Sequence, residues 1–193
     1  MEHVPYKEKG IHMSMQRSQV VCIALVGVLI VGVGFSVLVV TSYNGLVASK
    51  LQAENKWAAI QIQYERKIEL IPQLVALVEN YTEYEQETLV LITTLRTQWL
   101  NLNGSPSEQA NVSTQLNLAL STLFVAISEN YPTLYASILY QELFDEITGT
   151  ENRIAMAKLD YNDAVTAYNT QLAQFPGNIV GAMFGLQPMV LYG

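Results

Sequence analysis

Cysteine and histidine are almost missing from this sequence. Among 193 residues, Cys22 is the single cysteine, and both histidines precede residue 13. Residues 43–193 therefore lack thiol and imidazole, which excludes Ser-His-Asp and Cys-His nucleophilic sites, the usual zinc sites and the Glu-x-x-His helices of di-iron bundles. One cysteine forms no disulfide within the chain, so packing alone must hold the fold. Carboxylate-only chemistry and hard-cation sites remain, and no cofactor is expected.

Positive charge is also scarce. The chain has 10 Lys and Arg against 17 Asp and Glu, a formal net charge of -7. The first 19 residues carry +1, which leaves -8 for the rest of the chain. An acidic chain without a basic patch is a poor partner for nucleic acid, so none is predicted.

One long run has no charge at all. Residues 20–40, VVCIALVGVLIVGVGFSVLVV, are nearly all apolar. Their length at about 1.5 Å per residue matches a hydrocarbon core of about 30 Å, and predicts a transmembrane helix over residues 20–41. A cleaved secretory signal is the alternative, although its apolar region is typically shorter and Val47-Ala48-Ser49 is a poor cleavage site.

The flanking charges predict how the chain crosses the plasma membrane. Lys7, Lys9 and Arg17 precede the apolar run, and Lys50 is the first base after it. The positive-inside rule places residues 1–19 in the cytoplasm, and a bundle of residues 42–176 with an apolar C-terminal segment, 177–193, outside. Three Asn-x-Ser/Thr sequons then become candidate glycosylation sites: Asn80, Asn103 and Asn111.

Small residues recur on one face of the predicted membrane helix. Gly27, Gly34 and Thr41 are seven residues apart, and Gly32 with Ser36 forms a second pair of small residues. Small residues let two helices approach closely in lipid, so these positions predict self-association into a homo-oligomer.

After the membrane segment, apolar residues recur at helical spacing throughout, for example at Ala53, Trp57, Ile60 and Tyr64. Ser105-Pro106-Ser107-Glu108 is a capping box that predicts a helix start. We therefore predict an all-α fold, a transmembrane helix followed by an antiparallel, up-and-down bundle of the four-helix type with Pro-kinked long helices.

Pro72 and Pro132 leave two arrangements open, because proline either ends a helix or kinks it. If both turn the chain, the domain is a four-helix bundle, which we prefer. If both only kink it, the domain is a long hairpin that needs partner chains to bury its apolar stripes.

A polar run interrupts the last predicted helix. Glu151, Asn152, Arg153 and Lys158 lie within or beside its apolar stripe. A buried carboxylate needs a partner, and for Glu151 the candidates are Arg66 and Lys67. We predict a structural polar network of these residues and no catalytic, cofactor or metal site.

Spaced motifs give the chain a resemblance to a known family. They are Tyr43-Asn44-Gly45-Leu46-Val47, Trp57, residues 70–75 (LIPQLV), residues 150–154 (TENRI), residues 161–165 (YNDAV) and Phe175-Pro176. In these, residues 43–186 resemble the LemA family. The resemblance implies a membrane-anchored helical bundle and supplies no catalytic residues.

The predicted function is structural: a membrane-anchored scaffold of the cell envelope that self-assembles through its membrane helix and bundle. The uncharged end, residues 179–192, is expected to lie on the membrane or on a neighbouring subunit. One alternative is an accessory subunit that docks another membrane protein. The remote alternative is a carboxylate-dependent hydrolase using Asp160, Asp163 or Glu151.

Overall fold

The structure, a computed structural model, describes residues 9–81, 86–102 and 106–192, with side chains from residue 19 onward except at position 107. In these residues every regular element is an α-helix. The helices are α1 (Lys9–Glu79), α2 (Gln86–Leu100), α3 (Pro106–Asn130), α4 (Pro132–Tyr135), α5 (Ile138–Ala173) and α6 (Gly177–Phe184).

The apolar run and the first bundle helix are one unbroken helix, α1, of 71 residues. At 1.5 Å per residue it is about 107 Å long. Its apolar part is exposed except at the partly buried Val39. The buried seam above it repeats at spacings of seven, or of four and three: Ala53, Ile60, Tyr64, Lys67, Ile71, Leu74 and Val78. Such a heptad pattern keeps one seam facing a partner helix.

The partner helix of α1 is α5, which runs antiparallel to it. The seam of α5 consists of Tyr140, Leu143, Ile147, Thr150, Ile154, Tyr161, Ala164 and Tyr168.

The chain does not turn at Pro72, so the arrangement in which both prolines turn the chain is wrong. Proline lacks an N–H, which leaves the carbonyl of Ile68, four residues earlier, without its helical donor. Arg96 on α2 supplies the missing donor, because its Nε lies 3.1 Å from that carbonyl oxygen. The turn comes later, after Glu79, within residues 74–102, whose apolar spacing predicts one continuous helix.

The other helix boundaries follow local signals more closely. Helix α3 begins at Pro106 as predicted, although Ser105 of the capping box lies outside the described residues. Pro132 does lie at a turn, at the start of the short α4. The hydroxyl of Ser137 then accepts a hydrogen bond from the amide of Tyr140 at 3.2 Å and caps α5.

The predicted bundle is confirmed, but it has two unlike halves. In the half distant from the apolar run, the α2–α3 hairpin packs on α1 and α5 around one core. The hairpin reaches only to about Gln61, whose amide bonds Gln109 of α3. Below that level α1 and α5 continue as a pair, covered by α6 and the C-terminal residues 186–192.

Candidate functional site

A buried lysine lies at the centre of the four-helix half. Lys67 is 1% exposed and takes a seam position of α1 that elsewhere holds apolar residues. Its Nζ lies 2.5 Å from the Glu151 carboxylate on α5, and it also donates to the side-chain carbonyl of Asn117 on α3. The Asn117 amide donates to the other Glu151 oxygen at 2.7 Å. Three helices are thus joined by one closed polar triad.

Burial and charge act in opposite directions on this lysine. Burial lowers the pKa of Lys67 below its ordinary value, and the nearby Glu151 carboxylate partly opposes that shift. An ammonium removed from water is stable only when it is paired and hydrogen-bonded, which the triad provides. A polar group at a seam position also specifies register, because any slip along the helices separates the partners.

The triad forms one end of a groove between α3 and α5. The groove has a volume of about 440 Å³ and contains the rings of Phe124, Phe144 and Tyr135. Phe124 and Phe144 meet edge to face, with centroids 4.9 Å apart. An apolar wall ending in a part-buried ion pair suits an amphipathic side chain or ligand better than a fully polar one.

The remaining members of the predicted network lie outside this triad. Arg66 and Arg153 share one carboxylate, Glu146, with nitrogen–oxygen distances of 2.5 and 3.1 Å. Lys158 lies 4.7 Å from the ring centroid of Tyr192, a cation–π contact. Asn152 is exposed. The structure therefore separates the predicted network into a part-buried triad, a surface arginine pair and a lysine over aromatic rings.

The carboxylates proposed for the remote hydrolase alternative do not converge in a cleft. Asp160 forms an ion pair with Lys56 at 2.7 Å on the surface, Asp163 is exposed, and Glu151 belongs to the triad. Within residues 9–81, 86–102 and 106–192, no three His, Cys, Asp or Glu side chains are grouped to hold a metal ion.

The glycine face of the predicted membrane helix is open. A Cβ atom built on Gly27, Gly32 or Gly34 would meet no atom within 4 Å. The hydroxyl of Thr41, on the same face as Gly27 and Gly34, bonds the carbonyl of Val37 at 2.9 Å. The face therefore presents no unsatisfied polar group, and a second helix has room to approach it.

The three sequons differ in access. Asn80 is exposed in the turn after α1, although its side-chain amide bonds the carbonyl of Ala76 at 2.8 Å. Asn111 is exposed on α3, but Ser113, the third residue of its sequon, is only 1% exposed. Asn103 lies outside the described residues.

A second set of polar side chains, on α5, holds the C-terminal residues 186–192, which we call the tail. The side-chain amides of Asn162 and Asn169 each bond both the N–H and the carbonyl of one tail residue, Tyr192 and Met189 respectively, at 2.8–3.1 Å. The hydroxyls beside them, on Tyr161 and Tyr168, donate to two further tail carbonyls at 2.8 and 2.9 Å. The tail thus packs on its own bundle, and the expected contact of residues 179–192 with a membrane or a neighbouring subunit stays a prediction.

The spacing of these two pairs explains the fit. Each is a Tyr-Asn dipeptide, and the two are seven residues apart on α5, which is about 10.5 Å along the helix. Met189 and Tyr192 are three residues apart, and three extended residues also span about 10 Å. One heptad of helix therefore matches three residues of extended tail.

Comparison with known proteins gives a match over most of the bundle. The family model described as "LemA family" matches residues 56–193, more than half of the chain. The chain belongs to the LemA family. The matched region contains the triad, both Tyr-Asn pairs and the tail, and begins above the apolar run.

Curated relatives agree with this placement. Protein LemA of Metamycoplasma hominis is 25% identical over 149 residues, which cover 77% of this chain and 68% of the relative. Magnetosome proteins MamQ 1 and MamQ 2 of Paramagnetospirillum magneticum are each 23% identical over 179 residues, which cover 80% of this chain and 66% of each relative. The chain thus spans about two thirds of the length of these relatives.

The LemA motifs acquire structural roles here. Pro72 of the LIPQLV motif frees the carbonyl that Arg96 binds, Glu151 of the TENRI motif closes the triad, and the Tyr161-Asn162 motif holds the tail. Sequence reasoning missed Asn117, because one amide on α3 carries no periodic signal. It also missed that Lys67 is buried, although its place seven residues after Ile60 indicates the seam.

Proposed function

We propose that this LemA family protein is a membrane-anchored structural protein without enzymatic activity, which self-associates at the cell envelope. One observation carries the proposal: the apolar segment and the main bundle helix are the same helix. A flexible linker would let the bundle search for partners, whereas an unbroken helix fixes its height and orientation. Such a connection suits a protein that positions others or itself in an array.

The apolar part of α1 supports the anchor. It is long and apolar enough to cross a membrane, with a mean hydropathy of 2.9 and none of it buried inside the fold. A soluble core helix of that hydropathy would be covered by protein. With Lys7, Lys9 and Arg17 before it, the proposed orientation keeps the N-terminal end in the cytoplasm and the bundle outside.

Self-association through the membrane helix rests on the open glycine face. Without a hydrophobic driving force between helices in lipid, close packing over small residues supplies the attraction. Gly27 and Gly34 offer that approach without displacing any atom of the same chain.

A second candidate function is an accessory subunit that docks another membrane protein. The groove of about 440 Å³ between α3 and α5 favours it, since this groove is open, aromatic and bordered by exposed apolar side chains such as Val125, 52% exposed. A helix or loop of a partner would fit there, outside the membrane.

Two matched substitutions test the scaffold. Gly34→Leu and Gly32→Leu add the same side chain on nearly opposite sides of α1, and a Cβ atom at either position meets no atom of the same chain within 4 Å. We expect the native mass of the full-length protein in mild detergent to fall with Gly34→Leu and to stay unchanged with Gly32→Leu.

Other outcomes point elsewhere. A lower mass with Gly32→Leu alone assigns the interface to the opposite face, with Ser36. A monomeric mass for the unmodified protein contradicts the scaffold and favours the accessory subunit, whose partner is then sought by purification from native membranes.

A further inference from the structure

We propose that residues 175–184, here called the foot, form a second contact with the same bilayer, at its interface with water. The foot consists of Phe175, Pro176 and helix α6. This inference rests on the proposed membrane anchoring of α1, and it assigns a lipid surface to a part of the fold outside the membrane helix.

The height of the foot is fixed by its contacts with α1. The Tyr43 and Phe184 rings pack with centroids 4.5 Å apart, and Val39 and Leu46 belong to the same small cluster as Val180. Tyr43 follows the apolar run by three residues, which is about 4.5 Å along an unbroken helix. A bilayer that contains residues 20–40 therefore has its surface at the level of the foot.

The side of the foot that faces away from the protein is apolar. Phe175 is 72% exposed, Ile179 47%, Met183 60% and Phe184 51%. Ile179 and Met183 are four residues apart on α6 and form one stripe, with the exposed Phe175 just before the helix. The opposite side, with Val180 and Gly181, is buried against the bundle. In water such a stripe is unfavourable, whereas at a bilayer interface it is the side that enters the lipid.

Charge is absent from this level of the molecule. No Asp, Glu, Lys or Arg occurs from residue 164 to residue 193, nor on α1 between Arg17 and Lys50. The polar side chains near the foot are amides, Gln174 and Asn178, which are both exposed. Aromatic rings and neutral amides without charges are typical of side chains that lie among lipid headgroups.

The orientation of the foot is set by two close glycine contacts. A Cβ atom at Gly177 would lie 2.1 Å from the backbone oxygen of Gln171, and one at Gly181 would lie 2.3 Å from Cδ1 of Leu172. A larger side chain at Gly177 pushes α6 away from α5, because the backbone of Gln171 cannot move aside, whereas at Gly181 the end of the Leu172 side chain can shift. The glycines thus hold the apolar stripe outward at one angle, and the tail then turns back along α5 from Gly185, whose φ is 69°.

Lipid fits this stripe better than a second copy of the chain does. A neighbouring subunit would have to cover the stripe at the membrane surface and leave the equally exposed residues of α1 below it in lipid. The bilayer covers both with one continuous medium.

Site-directed nitroxide labels in lipid vesicles test the foot. In a Cys22→Ser background, which is free of cysteine, a label is placed by Met183→Cys in the foot or by Ile138→Cys as control. Ile138 is also apolar and 78% exposed, but it lies at the other end of α5, about 50 Å from Ala173. The label on native Cys22 reports on the membrane helix itself.

We expect collisions with oxygen, which concentrates in lipid, to exceed collisions with a water-soluble nickel chelate several-fold more at position 183 than at position 138. Equal ratios at 183 and 138, with Cys22 lipid-exposed, overturn the foot and leave the anchor intact. A label at 183 shielded from both reagents means a protein contact and also overturns it. A water-exposed Cys22 overturns the anchor and the foot together.

Discussion

Pro72 and Arg96 show how two residues far apart in sequence form one structural unit. The proline removes a helical hydrogen bond inside α1, and the guanidinium of Arg96, which is partly buried, replaces it from α2. The hydrogen bond that the proline removes from α1 is thereby replaced by one that joins α1 to α2. No sequence motif shows this pairing, because it depends on the antiparallel register of α2.

This pairing predicts a coupling between the two positions. Arg96→Met should lower the free energy of unfolding by about 1–2 kcal/mol, since the Ile68 carbonyl loses its donor. In a Pro72→Ala background residue 72 supplies its own N–H, so the same substitution should cost clearly less. Urea unfolding of the four proteins in mild detergent, followed by circular dichroism, measures the coupling.

Arg153→Met is the matched control for that cycle. Its guanidinium binds Glu146 at 3.1 Å and has no contact with Ile68, so its effect should be the same with Pro72 or Ala at position 72. Equal costs of Arg96→Met in both backgrounds would contradict the proposed role of the arginine.

At the scale of elements, the tail backbone is held by hydrogen bonds with side chains of α5. Tail backbone groups are bonded by the two Tyr-Asn pairs, and the last ring, Tyr192, packs on Trp57 with centroids 6.0 Å apart. An extended segment without a neighbouring strand leaves its backbone groups in need of partners. The asparagine amides, which offer a donor and an acceptor together, satisfy that need.

Removing one amide should release one part of the tail. In Asn169→Ala the amide proton of Met189 loses its acceptor and should exchange with solvent many-fold faster, while that of Tyr192, bonded to Asn162, stays protected. The loss of two hydrogen bonds should cost about 1–3 kcal/mol. Hydrogen exchange of the two amides measures the first effect and urea unfolding the second.

Asn152→Ala provides the comparison, because Asn152 is exposed on α5. It should alter neither amide. Equal protection of Met189 in Asn169→Ala and in the unmodified protein would show that the tail is held by its apolar contacts alone.

Periodicity predicted the helices well and their ends less well. The three-four spacing predicted α3, α5 and most of α1, since a buried seam imposes that spacing on the sequence. It failed at Glu79, where the polar residues of the turn resemble a solvated helix face. The triad was half predicted: Glu151 needed a base, and Lys67 was one of two candidates. Asn117 and the tail contacts depend on tertiary register, which a single sequence does not encode locally.

At the scale of the whole molecule, buried tyrosines connect stability to alkaline pH. Burial raises the pKa of five of them above the ordinary value, to about 12 for Tyr140; the others are Tyr64, Tyr161, Tyr168 and Tyr192. In the unfolded chain tyrosine ionises at about pH 10. The unfolded state therefore binds fewer protons than the folded state above that pH, and stability falls as pH rises.

Lys67 acts in the opposite direction over a lower range. The pKa of Lys67 is lowered in the folded state, so below about pH 10.4 the unfolded chain holds this proton more strongly than the folded protein does. As pH rises toward that value, the unfavourable contribution of Lys67 to the free energy of unfolding therefore becomes smaller. Above that pH the lysine is neutral in both states, and only the tyrosines remain.

The free energy of unfolding is therefore expected to fall steeply between about pH 10 and 12. Urea unfolding at a series of pH values measures it. Tyr192→Phe should make the fall shallower, and Tyr81→Phe, at a site 49% exposed, should leave it unchanged. A free energy of unfolding that stays constant from about pH 10 to 12 would contradict the burial of these tyrosines.

In the proposed membrane-anchored arrangement, the unbroken helix α1 acts as a lever with its fulcrum in the membrane. From residue 40 to Glu79 the helix extends about 58 Å beyond the bilayer. A change of about 20° in the tilt of the membrane segment, which is within the ordinary range for such helices, sweeps its far end through about 20 Å. Because bilayer thickness sets that tilt, a change in thickness would move the far end of the bundle. The foot, which lies beside the membrane end of the bundle, would limit this movement in one direction.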